Sequence, residues 1–184
     1  METPQPVVRL ADGLTLRRFE GEADLPEFLR VIEESLEHLR PWMPWVAEHA
    51  PEKTREFLAG RAGCWENRQE FTYAVTLDGA IVGVCGLFRR EHTPEGGREI
   101  GYWLHPAATG RGVMTRTVRA LVEEAFRLPD VEYVEVVHDV ANLASGAVPA
   151  RVGFTVHRRE AAEEDLAPAE SGENQVWRLT RRPA

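Results

Sequence analysis

The chain has 184 residues, with 22 basic side chains against 30 acidic ones and a net charge of −8. That length suits one domain (1–184) able to bury its own core. Hydrophobic residues at 43% and charged residues at 28% exclude a disordered, collagenous or coiled-coil chain. An acidic surface offers no stripe for free nucleic acid and favours a cationic or amine-bearing partner. No apolar run reaches the roughly 18 residues a membrane span needs. Met1-Glu2-Thr3-Pro4 does not begin a secretory signal, so a cytoplasmic protein is expected. Cys64 and Cys85 stand far apart, and no histidine cluster has ligand spacing, so no metal site is expected.

In chain order, residues 7–19 read as two short extended pieces around the turn signal Ala11-Asp12-Gly13. Leu25, Phe28, Leu29, Ile32, Leu36 and Leu39 keep helical spacing, with Asp24 placed as N-cap before Leu25-Pro26. Arg40-Pro41-Trp42-Met43-Pro44-Trp45 breaks that helix, and a second runs from Pro51 to about Arg68. Phe71–Leu77 alternates, Asp78-Gly79 turns, Ala80–Phe88 is strand-like, and Arg98–Leu104 completes an antiparallel meander. His105–Gly112 is a loop, followed by an amphipathic helix carrying Val113, Met114, Val118, Leu121, Val122, Ala125 and Phe126. Val131–Val137 is a strand, and Asn142–Arg151 a short helix whose extent Pro149 puts in question. Phe154–Arg158 and Gln175–Thr180 are the last strands, with an acidic loop from Glu160 to Asn174 between them. This order predicts an α+β fold with a mixed sheet and excludes the regular alternation of a doubly wound one.

Gly110-Arg111-Gly112 lies between a strand and a helix start, where free N–H groups and the positive end of the helix dipole make an anion site. On the glycines alone, a pyrophosphate cradle and a plain tight turn both stand. The nucleotide loop G-x-x-x-x-G-K-[ST] is absent, and G-x-G-x-x-G fails at Thr115.

Glu99-Ile100-Gly101-Tyr102-Trp103-Leu104-His105-Pro106, then Gly110-Arg111-Gly112-Val113-Met114-Thr115 and the amphipathic helix, resemble the acyl-CoA core of the GNAT superfamily. Asn142-x-x-Ser145, Arg151-Val152-Gly153-Phe154 and the early Arg40–Trp45 segment resemble its ribosomal-protein N-terminal acetyltransferase (Rim-type) branch. The resemblance spans about residues 8–182 and implies the GNAT fold, a mostly antiparallel mixed sheet flanked by helices. One position departs: the family's Gln or Arg three residues before the first loop glycine is Ala107 here.

The resemblance implies acetyl-CoA as cofactor, held by Trp103, Leu104, Gly110, Arg111, Gly112, Val113, Met114, Thr115 and Asn142. It also implies Ser145 donating a proton to the leaving thiolate, and a general base at Glu164 or Glu99. Alternative readings remain for these residues: Glu99 pairing with an arginine, Asn142 as a helix N-cap for the Ser145 amide, Glu164 as one of a solvated acidic run. Trp42 and Trp45 suit a pocket wall, a dimer contact or core packing. The implied activity is transfer of an acyl group, acetyl first and succinyl as an alternative, to a primary amine by direct attack in a ternary complex. The leading acceptor is a protein N-terminus, with a small amine such as an antibiotic or polyamine as the alternative. A homodimer is among the expectations. A CoA-sensing module without turnover is the rival from another class.

Overall fold

The computed structural model describes residues 3–90, 93–163 and 165–182. Asp78 and Gly79 both take left-handed backbone, φ 48° and 86°, so Leu77 turns directly into Ala80. That hairpin joins β3 (Glu70–Leu77) to β4 (Ala80–Phe88), and β5 (Gly97–Leu104) completes the expected meander. The earlier pair, β1 (Val7–Arg9) and β2 (Leu14–Arg18), adds to the free edge of β3. Beyond β5 lie β6 (Tyr133–Asp139), β8 (Glu173–Thr180) and, at the far edge, β7 (Thr155–Ala161). The order is β1-β2-β3-β4-β5-β6-β8-β7; β5 and β6 run parallel, and every other neighbouring pair is antiparallel. The mixed α+β architecture expected from the sequence is therefore present.

Alternation along the strands sends neighbours to opposite faces, and each face meets helices. Tyr73 and Val75 join α3 (Val113–Arg127), through Val118 and Leu121, in the larger core. Ala74, Ile81 and Val84 bury Phe28 and Ile32 of α1 (Leu25–Leu39) and Leu58 of α2 (Pro51–Glu66). The last helix, α4 (Leu143–Val152), lies against α3 and β6. No described helix is long and apolar enough to cross a membrane.

Three local expectations are corrected. α2 stops at Glu66 rather than Arg68, where Arg68 takes φ 56°. The acidic loop shrinks to 162–172 because β7 extends to Ala161 and β8 begins at Glu173, paired with each other. Asp24 stands at the N-cap position of α1 but makes no cap hydrogen bond. Its carboxylate instead takes both Arg17 nitrogens at 2.7 and 2.9 Å and the Glu20 N–H at 2.7 Å. A bidentate guanidinium outcompetes a neutral amide for one carboxylate.

Burial alone would raise the Asp24 pKa, but the Arg17 and Glu20 hydrogen bonds outweigh it and hold the group below the usual carboxylate range. Its stabilising contribution is therefore complete above the unfolded value near about 4 and is lost as pH falls through the lower, folded value. Thermal melting between about pH 5 and pH 3 should show a steeper decline for the wild type than for Asp24→Asn. Parallel declines would remove Asp24 from the acid sensitivity of the fold.

Candidate active site

β5 and β6 pair only from Gly97↔Tyr133 to Glu99↔Glu135, yet β5 continues to Leu104 and β6 to Asp139. Past Glu99 the strands diverge, each held by its outer neighbour, and a cavity of about 750 Å³ occupies the gap. Glu99, Ile100, Gly101, Tyr102 and Trp103 line it from β5, and Val136 to Asp139 from β6. Asn142 and Ser145 close it at the start of α4. Phe28, Phe57, Trp42 and Trp45 supply an aromatic wall, with Trp45 tilted against Trp103 at 6.1 Å between ring centres. Glu160, Glu163, Asp165 and Glu170 supply an acidic one. The connection bearing the last three of these acids also donates the Ala169 N–H to the Pro41 carbonyl at 3.0 Å, joining the two walls.

Of the residues expected to matter, Glu99, Trp103, Asn142 and Ser145 meet on this cavity. The Glu99 carboxylate lies 3.5 Å from the Arg90 guanidinium, so the arginine-pairing reading of that residue is realised. Asn142 is also an N-cap: its Oδ1 accepts the Ser145 N–H at 3.1 Å. Glu164 lies outside the described residues. Trp42 and Trp45 take the pocket-wall option.

The glycine loop lies apart from that lining. Gly110 and Gly112 adopt φ 70° and 69°, the left-handed region where glycine is unstrained, and among the described residues no atom beyond the adjoining chain lies within 4 Å of where their Cβ atoms would be. None of the backbone N–H groups from Gly110 to Thr115 has a hydrogen-bond partner among the described residues. Leu104, Val113 and Met114 bury their side chains in the core, so at those positions the backbone is what remains for a ligand. His105 orders the approach to the loop: its Nδ1 accepts the Ala107 N–H at 3.1 Å and its Nε2 faces Glu34 at 3.2 Å.

Three lining residues were not singled out from sequence for the roles they take. His138 is buried, and its Nε2 accepts the Trp177 indole N–H at 2.9 Å, leaving Nδ1 to donate to the Asp139 carbonyl at 2.7 Å. Burial pushes its pKa down against that last bond, and with both nitrogens engaged it has no lone pair for base work. Asp139, 4% exposed, accepts from the Ala141, Ser171 and Gly172 N–H groups at 2.8–2.9 Å and from the Ser171 hydroxyl. One carboxylate thus fixes both the turn into α4 and the end of the acidic connection. Tyr102 donates its hydroxyl to the Ser145 carbonyl at 3.0 Å. No motif signals the distant partners Trp177, Ser171, Gly172 and Ser145, which come from 32 to 43 residues away.

Residues 13–155 match the model of the acetyltransferase (GNAT) domain. The chain belongs to the GNAT family. It is 34% identical over 77 residues to YdaF of Bacillus subtilis (strain 168), provisionally named a ribosomal N-acetyltransferase, and the match spans 42% of either chain. RimL, a ribosomal L7/L12 alpha-N-protein acetyltransferase solved with coenzyme A, superposes with a TM-score of 0.84 at 21% identity, covering 95% of this chain and 97% of RimL. The microcin C7 self-immunity acetyltransferase MccE, solved with acetyl-CoA and AMP, gives 0.85 at 19% identity over 96% and 97% of the two chains. At these identities the two structures share the fold. Within the GNAT fold of this chain, the divergence of β5 and β6 and the open amides at α3 stand at the same end of the sheet, since α3 follows β5 directly.

Proposed function

We propose that this GNAT protein transfers an acetyl group from acetyl-CoA to a primary amine, with a protein N-terminus as the leading acceptor. The observation that carries the reading is the cavity formed where β5 and β6 part, walled by aromatic and acidic side chains and closed by Ser145. The residues fit the cofactor: six consecutive amides from Gly110 to Thr115 lack partners among the described residues, and two positive-φ glycines leave open space beside them. That is the donor set a pyrophosphate requires. Arg111 adds a cationic side chain to the loop, Trp103 and Asn142 would flank the arm leading inward, and bound acetyl-CoA would supply an activated thioester. RimL and YdaF, both named as ribosomal acetyltransferases, support the protein acceptor.

An amine must lose a proton to become acylated. An α-amine, with a pKa near about 8, is far more often neutral at pH 7 than a lysine amine near about 10.4. The base is assigned to Glu164 ahead of Glu99, as the family resemblance implies, and Glu99 already faces the Arg90 guanidinium at 3.5 Å. The Ser145 hydroxyl, which has no partner among the described residues, would give its proton to the departing thiolate. Transfer is direct, with both substrates bound together. Thiol release measured with a peptide of free N-terminus, its blocked form and a polyamine tests the reading, and turnover that ignores the amine contradicts it.

The acid-rich wall should also make acceptor capture sensitive to salt. For a basic peptide, KM should rise roughly threefold to tenfold from low to about 0.5 M salt, while a neutral peptide changes little. Equal salt dependence for both peptides would remove the 160–173 acids from acceptor binding.

A further inference from the structure

Pro149 lies inside α4, four residues after Ser145. In a regular helix the N–H of residue 149 would donate to the Ser145 carbonyl, and proline has none. A half-buried carbonyl deprived of its helical donor needs another partner. Tyr102 provides it, donating its hydroxyl to that oxygen at 3.0 Å.

We infer that Tyr102 is a positioning residue for Ser145: its hydroxyl replaces the N–H that Pro149 lacks and fixes the first turn of α4 against β5. The inference rests on the acyltransferase reading above. Tyr102 lies three residues past Glu99, the last β5 residue paired with β6. Its hydrogen bond therefore crosses the divergence where no sheet bond connects the two halves. Ser145 is held from the other side as well, through its N–H on Asn142 Oδ1. Gly146 locks the same turn, because a Cβ there would lie 2.6 Å from the His138 ring. With both backbone polar groups committed to side chains, the Ser145 hydroxyl is the part of the residue left for the cavity. Burial pushes the Tyr102 pKa up to about 12, so the hydroxyl keeps its proton through the neutral range.

The test uses Y102F, P149A, the double variant and S145A in the full chain. Y102F should lower kcat roughly tenfold or more with KM for acetyl-CoA kept within about twofold. The loss should shrink with a donor whose leaving thiol is more acidic, as it should for S145A. P149A restores a helical N–H beneath the Ser145 carbonyl, so Y102F/P149A should return to within about threefold of P149A alone. Wild-type kcat in Y102F overturns the inference, and so does a Y102F defect that P149A does not relieve, because the hydroxyl would then act on the reaction itself. A wild type without amine-dependent turnover defeats the acyltransferase reading instead. In that event thermal melting of the same variants decides: non-additive shifts for Y102F and P149A support the coupling, and additive shifts overturn it.

Discussion

Replacing Gly112 with Asp should weaken coenzyme A binding about a hundredfold, with far-UV circular dichroism unchanged. Gly112 is exposed, caps α3 in the left-handed conformation and has open space around its Cβ position, so the added side chain starts into open space. Asp is among the residues that tolerate that conformation, at a cost of about 1–2 kcal/mol. Its charge is the larger effect. A carboxylate roughly 5 Å from a pyrophosphate, at an effective dielectric between about 40 and 80, repels each phosphate charge by about 1–2 kcal/mol. Two such charges give roughly the 2.7 kcal/mol that a hundredfold change in Kd requires. Gly112→Asn carries the same backbone strain without the charge and should lose no more than about tenfold. Calorimetry showing equal affinities for Gly112→Asp and the wild type, in folded protein, would detach the glycine loop from the cofactor.

The second large effect is on turnover. Ser145→Ala removes a hydroxyl but leaves the Asn142 cap and the Tyr102 hydrogen bond, both of which use the Ser145 backbone. The α4 turn should therefore persist. Loss of one donor aimed at developing charge lowers kcat by roughly 10²–10³, with acetyl-CoA KM little changed. A base mutant should differ in its pH response: Glu164→Gln should lose roughly 10²-fold in kcat at neutral pH and recover at high pH, where the amine deprotonates unaided. Ser145→Ala should not recover with pH. Wild-type kcat across the range in Ser145→Ala and in Gln variants at Glu164 and Glu99 would show that the amine reacts without these groups.

Much of the frame was legible because it is written in local patterns. The helical spacing from Leu25 to Leu39, the alternation from Phe71 to Leu77 and the Asp78-Gly79 turn each encode their own geometry. The Gly110-Arg111-Gly112 loop reads the same way, since positive φ at both glycines is what residue type alone suggests. Asp24 shows where local reading fails: its position says N-cap, but Arg17 from the preceding strand claims the carboxylate. The end of β7 was misjudged for a similar reason, since Glu160 and Ala161 are polar or small yet pair with Asn174 and Glu173.

The site was half legible. Asn142 and Ser145 carry a recognisable spacing, and the structure sets them on the same cavity as Glu99 and Trp103. The parting of β5 and β6 depends on where two strands 36 residues apart stop pairing, from Glu99↔Glu135 onward, and leaves no mark on either strand. Tyr102 reads as one more alternating strand residue, and Pro149 as an interruption. Only together do they explain how a proline is accommodated in α4. His138 beside Asp139 invites an acid–base reading, which the Trp177 hydrogen bond excludes by occupying Nε2.

The central claim is amine-directed acetyl transfer by this cavity, and one competition measures it. The protein is incubated with acetyl-CoA and an equal mixture of two basic peptides, one with a free N-terminus and one N-terminally blocked but containing lysine, and the products are weighed by mass spectrometry. The account predicts acetylation at the free α-amine, with the blocked peptide left largely unmodified. Coenzyme A binding without acetylation of either peptide or of any small amine would contradict it and leave a cofactor-binding module in its place.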